Sequence, residues 1–214
     1  QNRIDMLNNI VALSKILDLH KFYYWLKELG IGFTPLIRIP RTVNPFDEKI
    51  PILAKLEYVN FGESVKARPF ATMYYLYMRS GKLDMKRKVI AATSGNFGLA
   101  GSYLLADKYD FTVYMSEKIV KENEWLIQKL MKNRTKIETF SDEYCPTVAA
   151  KRGKAIAAAR YIEKIDSEVI NFDQYEDIGN PLSHFLTTAP EIYCQTDGKI
   201  THLVIALGTC GTMI

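Results

Sequence analysis

The order of apolar and polar positions divides the chain into a helical opening followed by a series of strands and helices. Over 4–13 and 14–29, apolar side chains recur along one helical face, Ile16, Leu17, Phe22, Tyr23, Leu26 and Leu29 among them, and Gly30 offers a stop. Short apolar runs bounded by glycine, proline and asparagine predict strands over 36–39, 51–56, 88–92, 111–115, 136–140, 168–171 and 201–207. Helical spacing between them predicts helices over 66–79, from the turn at 93–98 to 108, over 120–131 and 148–162, and from 182 onward. The run at 88–92 is apolar on both faces, as befits a strand inside a parallel sheet.

This alternation predicts an α/β fold with two open, mostly parallel twisted sheets, helices on both faces, and a helical layer in front. The domains read as a helical extension over 1–32, an α/β domain over 33–145, and the beginning of a second α/β domain over 146–214. The chain opens at Gln1 and stops at Ile214, directly after a glycine–threonine loop that should feed a helix, so the C-terminal part of that second domain reads as missing.

Composition narrows the function. With 48% hydrophobic and 24% charged residues the chain is ordinary globular protein with enough length for a sizeable core. The net charge of +4 is spread along the sequence, and its densest basic run, Lys86-Arg87-Lys88, sits in a turn before a strand, so nothing points to nucleic acid. Cys145, Cys194 and Cys210 are odd in number and lack metal-ligand spacing, and the three histidines are far apart, which argues for a reducing compartment and against a metal site. No apolar run is long enough to span a bilayer and no signal peptide opens the chain, so it reads as cytoplasmic.

Three glycine-bearing turns fall where parallel sheets bind ligands, beyond the carboxyl ends of strands. The first, Asn60-Phe61-Gly62-Glu63, leads into Ser64-Val65-Lys66 at a helix start. The positive end of a helix dipole disfavours a cation there, and a lysine whose charge is discouraged is a better nucleophile toward a carbonyl. A solvated lysine is the plain alternative. The second turn, Thr93-Ser94-Gly95-Asn96-Phe97-Gly98, gathers two hydroxyls, an amide and several N–H groups, enough for a carboxylate, although an ordinary helix cap would look the same. The third, Gly208-Thr209-Cys210-Gly211-Thr212, ends an apolar strand with free amides and two hydroxyls, which suits a phosphate as well as it suits a simple turn. Gln174 and His184 are weaker candidates, and His184 reads as packed in a helix rather than catalytic.

Taken together, an amine, a phosphate cradle, a carboxylate cradle and an amide beside a phenolic oxygen are the groups that pyridoxal phosphate requires. The chain resembles the fold-type II pyridoxal-phosphate enzymes, and within them the cysteine synthase and cystathionine β-synthase branch. The resemblance rests on Thr34-Pro35-Leu36, Lys55-Leu56-Glu57 with Asn60, Gly62 and Ser64-Val65-Lys66, Thr93 to Asn96, Gln174 to Ile192 with Asn180-Pro181 and His184, and Gly208 to Thr212, all in the family's order. It covers the chain from Thr34 to the end and leaves out the N-terminal helices.

That resemblance implies that Lys66 is the Schiff-base lysine and moves protons at the substrate α-carbon, and that Asn96 faces the cofactor 3′-oxygen. It implies a substrate carboxylate held by Thr93, Ser94, Gly95, Asn96 and Gln174, and a cofactor phosphate held by Gly208, Thr209, Cys210, Gly211 and Thr212. The implied reaction replaces the β-substituent of an activated serine, such as O-acetylserine or O-phosphoserine, through an aminoacrylate. A homodimer is implied as well, with the aromatic helix around Phe22 and Trp25 a candidate contact.

The sequence departs from the family at Phe61, Glu63, Ala67, Phe97 and Cys210. Phe97 in place of a threonine predicts a tighter, less polar substrate site, and Cys210 stands where the phosphate loop has a glycine. Arg68-Pro69 and Phe97 keep open an amine nucleophile, as in enzymes making diaminopropionate-type compounds. A serine or threonine dehydratase, a threonine synthase, and a catalytically silent binding protein are the remaining alternatives.

Overall fold

The computed structural model describes residues 3–83, 88–105, 108–141 and 153–213. Helices α1 (Arg3–Ile16) and α2 (Leu19–Glu28) come first, and Asp18 caps α2 by accepting from the Lys21 N–H at 3.1 Å. Strands β1 (Leu36–Arg38) and β2 (Leu53–Lys55) pair antiparallel as a small ribbon. A 3-10 turn (Glu57–Val59) and the glycine turn at 62 then deliver the chain to α3 (Ala67–Arg79). The core continues with β3 (Lys88–Ala92), α4 (Asn96–Leu105), β4 (Asp110–Ser116), α5 (Glu117–Glu122), α6 (Glu124–Lys132), β5 (Lys136–Phe140), α7 (Gly153–Ile165) and β6 (Val169–Asn171). The final helical stretch runs without a break from α8 (Gly179–Ser183) through a π-helical turn (His184–Thr188) into α9 (Ala189–Gln195).

Strands β5, β4, β3 and β6 lie side by side in that order, all parallel. Their side chains alternate between two cores, as the pleat requires. Val89, Ala91, Phe111, Val113, Met115 and Ile170 face α2, α3, α4 and α6, whereas Ile90, Ala92, Tyr114 and Val169 face Ala155 and Ala159 of α7. Helix α3 is the centre of the larger core: residues 67–75 are all buried, so its first nine residues are enclosed on every side, while Met78 and Arg79 reach solvent.

The predicted strands from 36 to 171 are present to within one to two residues at each end. The helix expected over 120–131 is two helices that meet at Asn123, whose φ of −130° breaks the run. The strand expected over 201–207 is absent. That segment is irregular and largely exposed, with Val204 at 94% and Leu207 at 64%, so the second sheet it was to begin does not form among the described residues. An apolar run becomes a strand only against a neighbour, and no other strand pairs with this one here.

The division between 145 and 146 falls outside the described residues, and so does Cys145. On its far side, β6 pairs with β3, and α7 packs on that same sheet. The aromatic face of α2 packs within the chain: Phe22 and Trp25 contact Tyr75 at ring distances of 5.1 and 5.2 Å, and the Tyr23 hydroxyl donates to the Leu186 carbonyl. Of this cluster only Tyr24 is largely exposed, at 61%, which withdraws the face as a ready-made subunit contact. No described helix is long and apolar enough to cross a membrane.

Candidate active site

Lys66 caps the N-terminus of α3 from a half-buried position, and its amide donates to the Ser64 hydroxyl at 3.2 Å. The turn before it requires glycine. Gly62 has φ of +106°, and a Cβ there would press on Ala67 and the Ala100 backbone at 3.2–3.3 Å. Glu63 follows in the left-handed region at φ of 60°, strain of about 1 kcal/mol for a side chain. Its carboxylate is anchored by Lys129 and by the Tyr103 hydroxyl, which holds its pKa below the usual carboxylate range.

The Lys66 amine donates to Thr209 Oγ1 at 3.1 Å, joining positions 143 residues apart in sequence. Thr209 also accepts from Asn180 Nδ2 at 2.8 Å, and the same amide nitrogen donates to the Gln174 carbonyl at 2.7 Å. The Gln174 side chain in turn donates to the Ala92 carbonyl at 2.9 Å, at the end of β3 where the loop 93–95 departs. A continuous path of hydrogen bonds therefore links the carboxyl end of the sheet, the lysine and the glycine–threonine loop.

The loop 208–212 has the donor set of an anion cradle. Among the described residues none of its amide N–H groups makes a backbone hydrogen bond, and it closes where Met213 donates to the Cys210 carbonyl at 3.0 Å. Gly211 lies flat against Asn180: an added Cβ would sit 2.2 Å from Asn180 Oδ1, itself a buried oxygen without a partner among the described residues. Free amides, two hydroxyls and an amine at the rim fit a phosphate and an aldehyde on one small molecule. Cys210 occupies a left-handed conformation at φ of 63° with its side chain exposed. A residue without a Cβ suits that backbone best, and both Glu63 and Cys210 stand where the resemblance expects glycine.

The loop 93–98 is built differently from its expected role. Thr93 is buried and its hydroxyl oxygen accepts from the Gly95 and Gly98 N–H groups at 2.9 and 3.2 Å, so it organises its own turn. Ser94 and Asn96 are exposed at the start of α4, and Gly95 has φ of +143°. Phe97 corrects the expectation of a less polar substrate site: it is 1% exposed and packs on Phe70 at 4.9 Å, inside the core.

Two groups were undervalued by sequence reasoning. His184 is buried, with Nδ1 at 2.9 Å from Thr188 Oγ1 and Nε2 at 3.2 Å from Thr212 Oγ1. Burial, reinforced by the charges of Arg68 and Lys66 and opposed by Glu57, lowers its pKa to about 4, so the ring is neutral. Its spacing of four from Asn180 placed both on one helical face, which was the available signal.

Arg68 is the second. It is completely buried and donates to Glu57 at 2.7 and 2.8 Å, to Glu191 at 2.6 and 2.8 Å, and to Thr34 at 3.0 Å. Lys55 completes the cluster by donating to Glu191 at 2.7 Å. Burial would raise the pKa of Glu191, but hydrogen bonds from Arg68 and Lys55 outweigh it and hold it down to about 2.

Comparison with known proteins follows the same lines. A family model described as pyridoxal-phosphate dependent enzyme matches residues 27–214. The chain is similar to the cystathionine beta-synthase of Oryctolagus cuniculus, at 35% identity over 184 residues, covering 86% of this chain and 32% of that protein. It is also similar to the cysteine synthases of Aquifex aeolicus, at 30% over 188 residues, and Haemophilus influenzae, at 34% over 187 residues; each alignment covers 86% of this chain, and 54% and 55% of those proteins. A solved hydrogen sulfide-producing enzyme from Fusobacterium nucleatum superposes with a TM-score of 0.72 at 25% identity, over 86% of this chain and 58% of its own. The chain thus spans about a third to about half the length of these curated relatives.

Proposed function

Because the chain belongs to the pyridoxal-phosphate dependent enzyme family, we propose that it takes part in β-replacement on an activated serine, with a sulfur nucleophile. The observation that carries this reading is the contact between the Lys66 amine and Thr209 Oγ1 at 3.1 Å, which brings an aldehyde-capturing group to the mouth of an anion cradle. In this reading Lys66 holds the cofactor aldehyde and moves the proton at the substrate α-carbon. The amides of 208–212 with the hydroxyls of Thr209 and Thr212 hold the phosphate. When bound, pyridoxal phosphate supplies an electron sink for the bond broken at the α-carbon.

The exposed Ser94 and Asn96 and the amides at the start of α4 form the face offered to the substrate carboxylate and the cofactor 3′-oxygen. Gln174, whose Nε2 is engaged at the end of β3, acts on that face by holding its base. A sulfur nucleophile is favoured over an amine because the similar proteins, by their names, make cysteine, cystathionine or hydrogen sulfide. Free thiols at Cys194 and Cys210 accord with a reducing, cytoplasmic setting, and a homodimer is part of the same proposal.

The test is chemical. The chain is incubated with pyridoxal phosphate, reduced with borohydride and digested, and the expected result is a pyridoxyl adduct on the peptide containing Lys66. A separate, unreduced sample loaded with pyridoxal phosphate and given O-acetylserine or O-phosphoserine with sulfide should yield cysteine. An adduct elsewhere, or no uptake of the cofactor, removes the reading, and rapid release of a keto acid would assign a dehydratase instead.

A further inference from the structure

We propose that Asn180 and His184, one helical turn apart, are positioning residues that turn the hydroxyl hydrogens of Thr209 and Thr212 outward, so that both threonines donate to the cofactor phosphate. The inference rests on the phosphate-loop reading above and assigns the groups behind that loop.

A hydroxyl has one hydrogen to give and two sites at which to accept. Thr209 Oγ1 accepts from Asn180 Nδ2 at 2.8 Å and, until Lys66 is committed to the aldehyde, from Lys66 Nζ at 3.1 Å; the Asn180 contact persists in the loaded chain and keeps the hydroxyl hydrogen directed away from the amide nitrogen. The orientation of the Asn180 amide is itself dictated. Its nitrogen lies 2.7 Å from the Gln174 carbonyl, which can only accept, so the nitrogen and not Oδ1 must face Gln174 and Thr209. Among the described residues the displaced Oδ1 is left buried and without a partner beside Gly211, a cost that a reversed amide would not relieve without opposing two oxygens.

His184 repeats the arrangement three residues further along the loop. A neutral imidazole has one N–H, and its two nitrogens face Thr188 at 2.9 Å and Thr212 at 3.2 Å. If Thr188 donates to Nδ1, the hydrogen sits on Nε2, Thr212 accepts it, and the Thr212 hydrogen is released toward the loop. The opposite tautomer would draw the Thr212 hydrogen into the ring and away from an anion. Asn180 and His184 are 2% and 5% exposed, so each contact is shielded from water on the helix side.

Two measurements test this. In the ligand-free chain, with the exposed His20 and His202 replaced by glutamine, long-range 1H–15N correlation should show the remaining histidine hydrogen on Nε2; a hydrogen on Nδ1 overturns the proposal. Second, pyridoxal phosphate and pyridoxal, which lacks the phosphate, are titrated against Asn180→Leu, His184→Leu and His184→Gln. The leucine variants should bind pyridoxal phosphate ~10- to 100-fold more weakly, the loss of one hydrogen bond to a charged group, and bind pyridoxal as the parent does. His184→Gln restores an N–H near Nε2 and should recover most of the affinity.

Equal losses for both ligands would mean a merely structural role and overturn the proposal, as would unchanged phosphate-dependent affinity. A parent chain that prefers pyridoxal phosphate no more than pyridoxal removes the phosphate-loop reading itself. A strong preference combined with the Nδ1–H tautomer overturns this inference alone.

Discussion

Replacing Arg68 with methionine deletes the guanidinium from the buried cluster while leaving an apolar stem of similar length. Arg68 and Lys55 balance Glu57 and Glu191, so the substitution leaves a buried group of net charge −1. Breaking a buried pair by removing one partner costs ~3–5 kcal/mol, a large share of the ~5–15 kcal/mol that holds a typical domain together. The burden falls unevenly. Glu191 keeps Lys55 at 2.7 Å and the Phe33 N–H at 2.8 Å, whereas Glu57 keeps only the neutral Thr34 and Asn60 among its contacts with described residues. Neutralising Glu57 should therefore rescue the variant better than neutralising Glu191.

Urea unfolding at neutral pH, followed by the fluorescence of Trp25 and Trp125, measures the parent, Arg68→Met, and that variant combined with Glu57→Gln or Glu191→Gln. The Glu57→Gln combination should lie at least ~1 kcal/mol above the Glu191→Gln one. A loss below ~1 kcal/mol for Arg68→Met, or equal rescue by both, would refute the reasoning. Acid gives an independent check. The folded pKa of Glu191 lies below its ordinary 4.5, so the stability it contributes is present above about pH 4.5 and is lost as pH falls toward about 2. Arg68→Met should flatten that window.

Gly211→Ala would force its Cβ against Asn180 Oδ1, on a buried side chain held by its hydrogen bonds to Gln174 and Thr209, and should weaken pyridoxal phosphate binding ~10-fold or more, by titration of the visible band. Gly101→Ala sets a helix-propensity gain of ~1 kcal/mol against overlap with Phe70 and Phe111, whose ring carbons lie 2.5–2.7 Å from the new Cβ. Overpacking of ~1–3 kcal/mol should win or at best cancel, and thermal unfolding should show no stabilisation. His184 has a folded pKa below its ordinary 6.5, so its contribution is complete above that value and lost as pH falls from 6.5 to about 4. Urea unfolding across that range should show a loss of stability that is smaller in His184→Gln.

The parallel core was legible because its signal is local. The runs at 88–92 and 136–140 carry their own bounds, and glycine turns mark the ends of strands that hold ligands. The lysine and the phosphate loop were legible as motifs, and the resemblance already put both on one cofactor; the hydrogen bond between them across 143 residues was not, since no spacing rule encodes it. Phe97 shows the converse: its motif position pointed to substrate, but a phenylalanine among Phe70, Phe111 and Phe172 lies in the core because burying its ring outweighs its place in the sequence. Arg68 went unread as a structural group because a charge in an apolar helix declares itself only through partners supplied by other segments. The run at 201–207 was misjudged because a strand is a property of pairs.

The widened turn at 184–188 sets the angular phase between the two ends of one continuous helix. Each residue advances a helix by about 100°, so a register changed by one residue there would swing everything downstream around the axis. As it stands, Asn180 and His184 are keyed to the loop 208–212 while Glu191 and Gln195 meet Lys55. Removing a single residue from that turn would leave the first gear engaged and disengage the second, uncoupling the anion cradle from the ionic brace beneath the lysine helix.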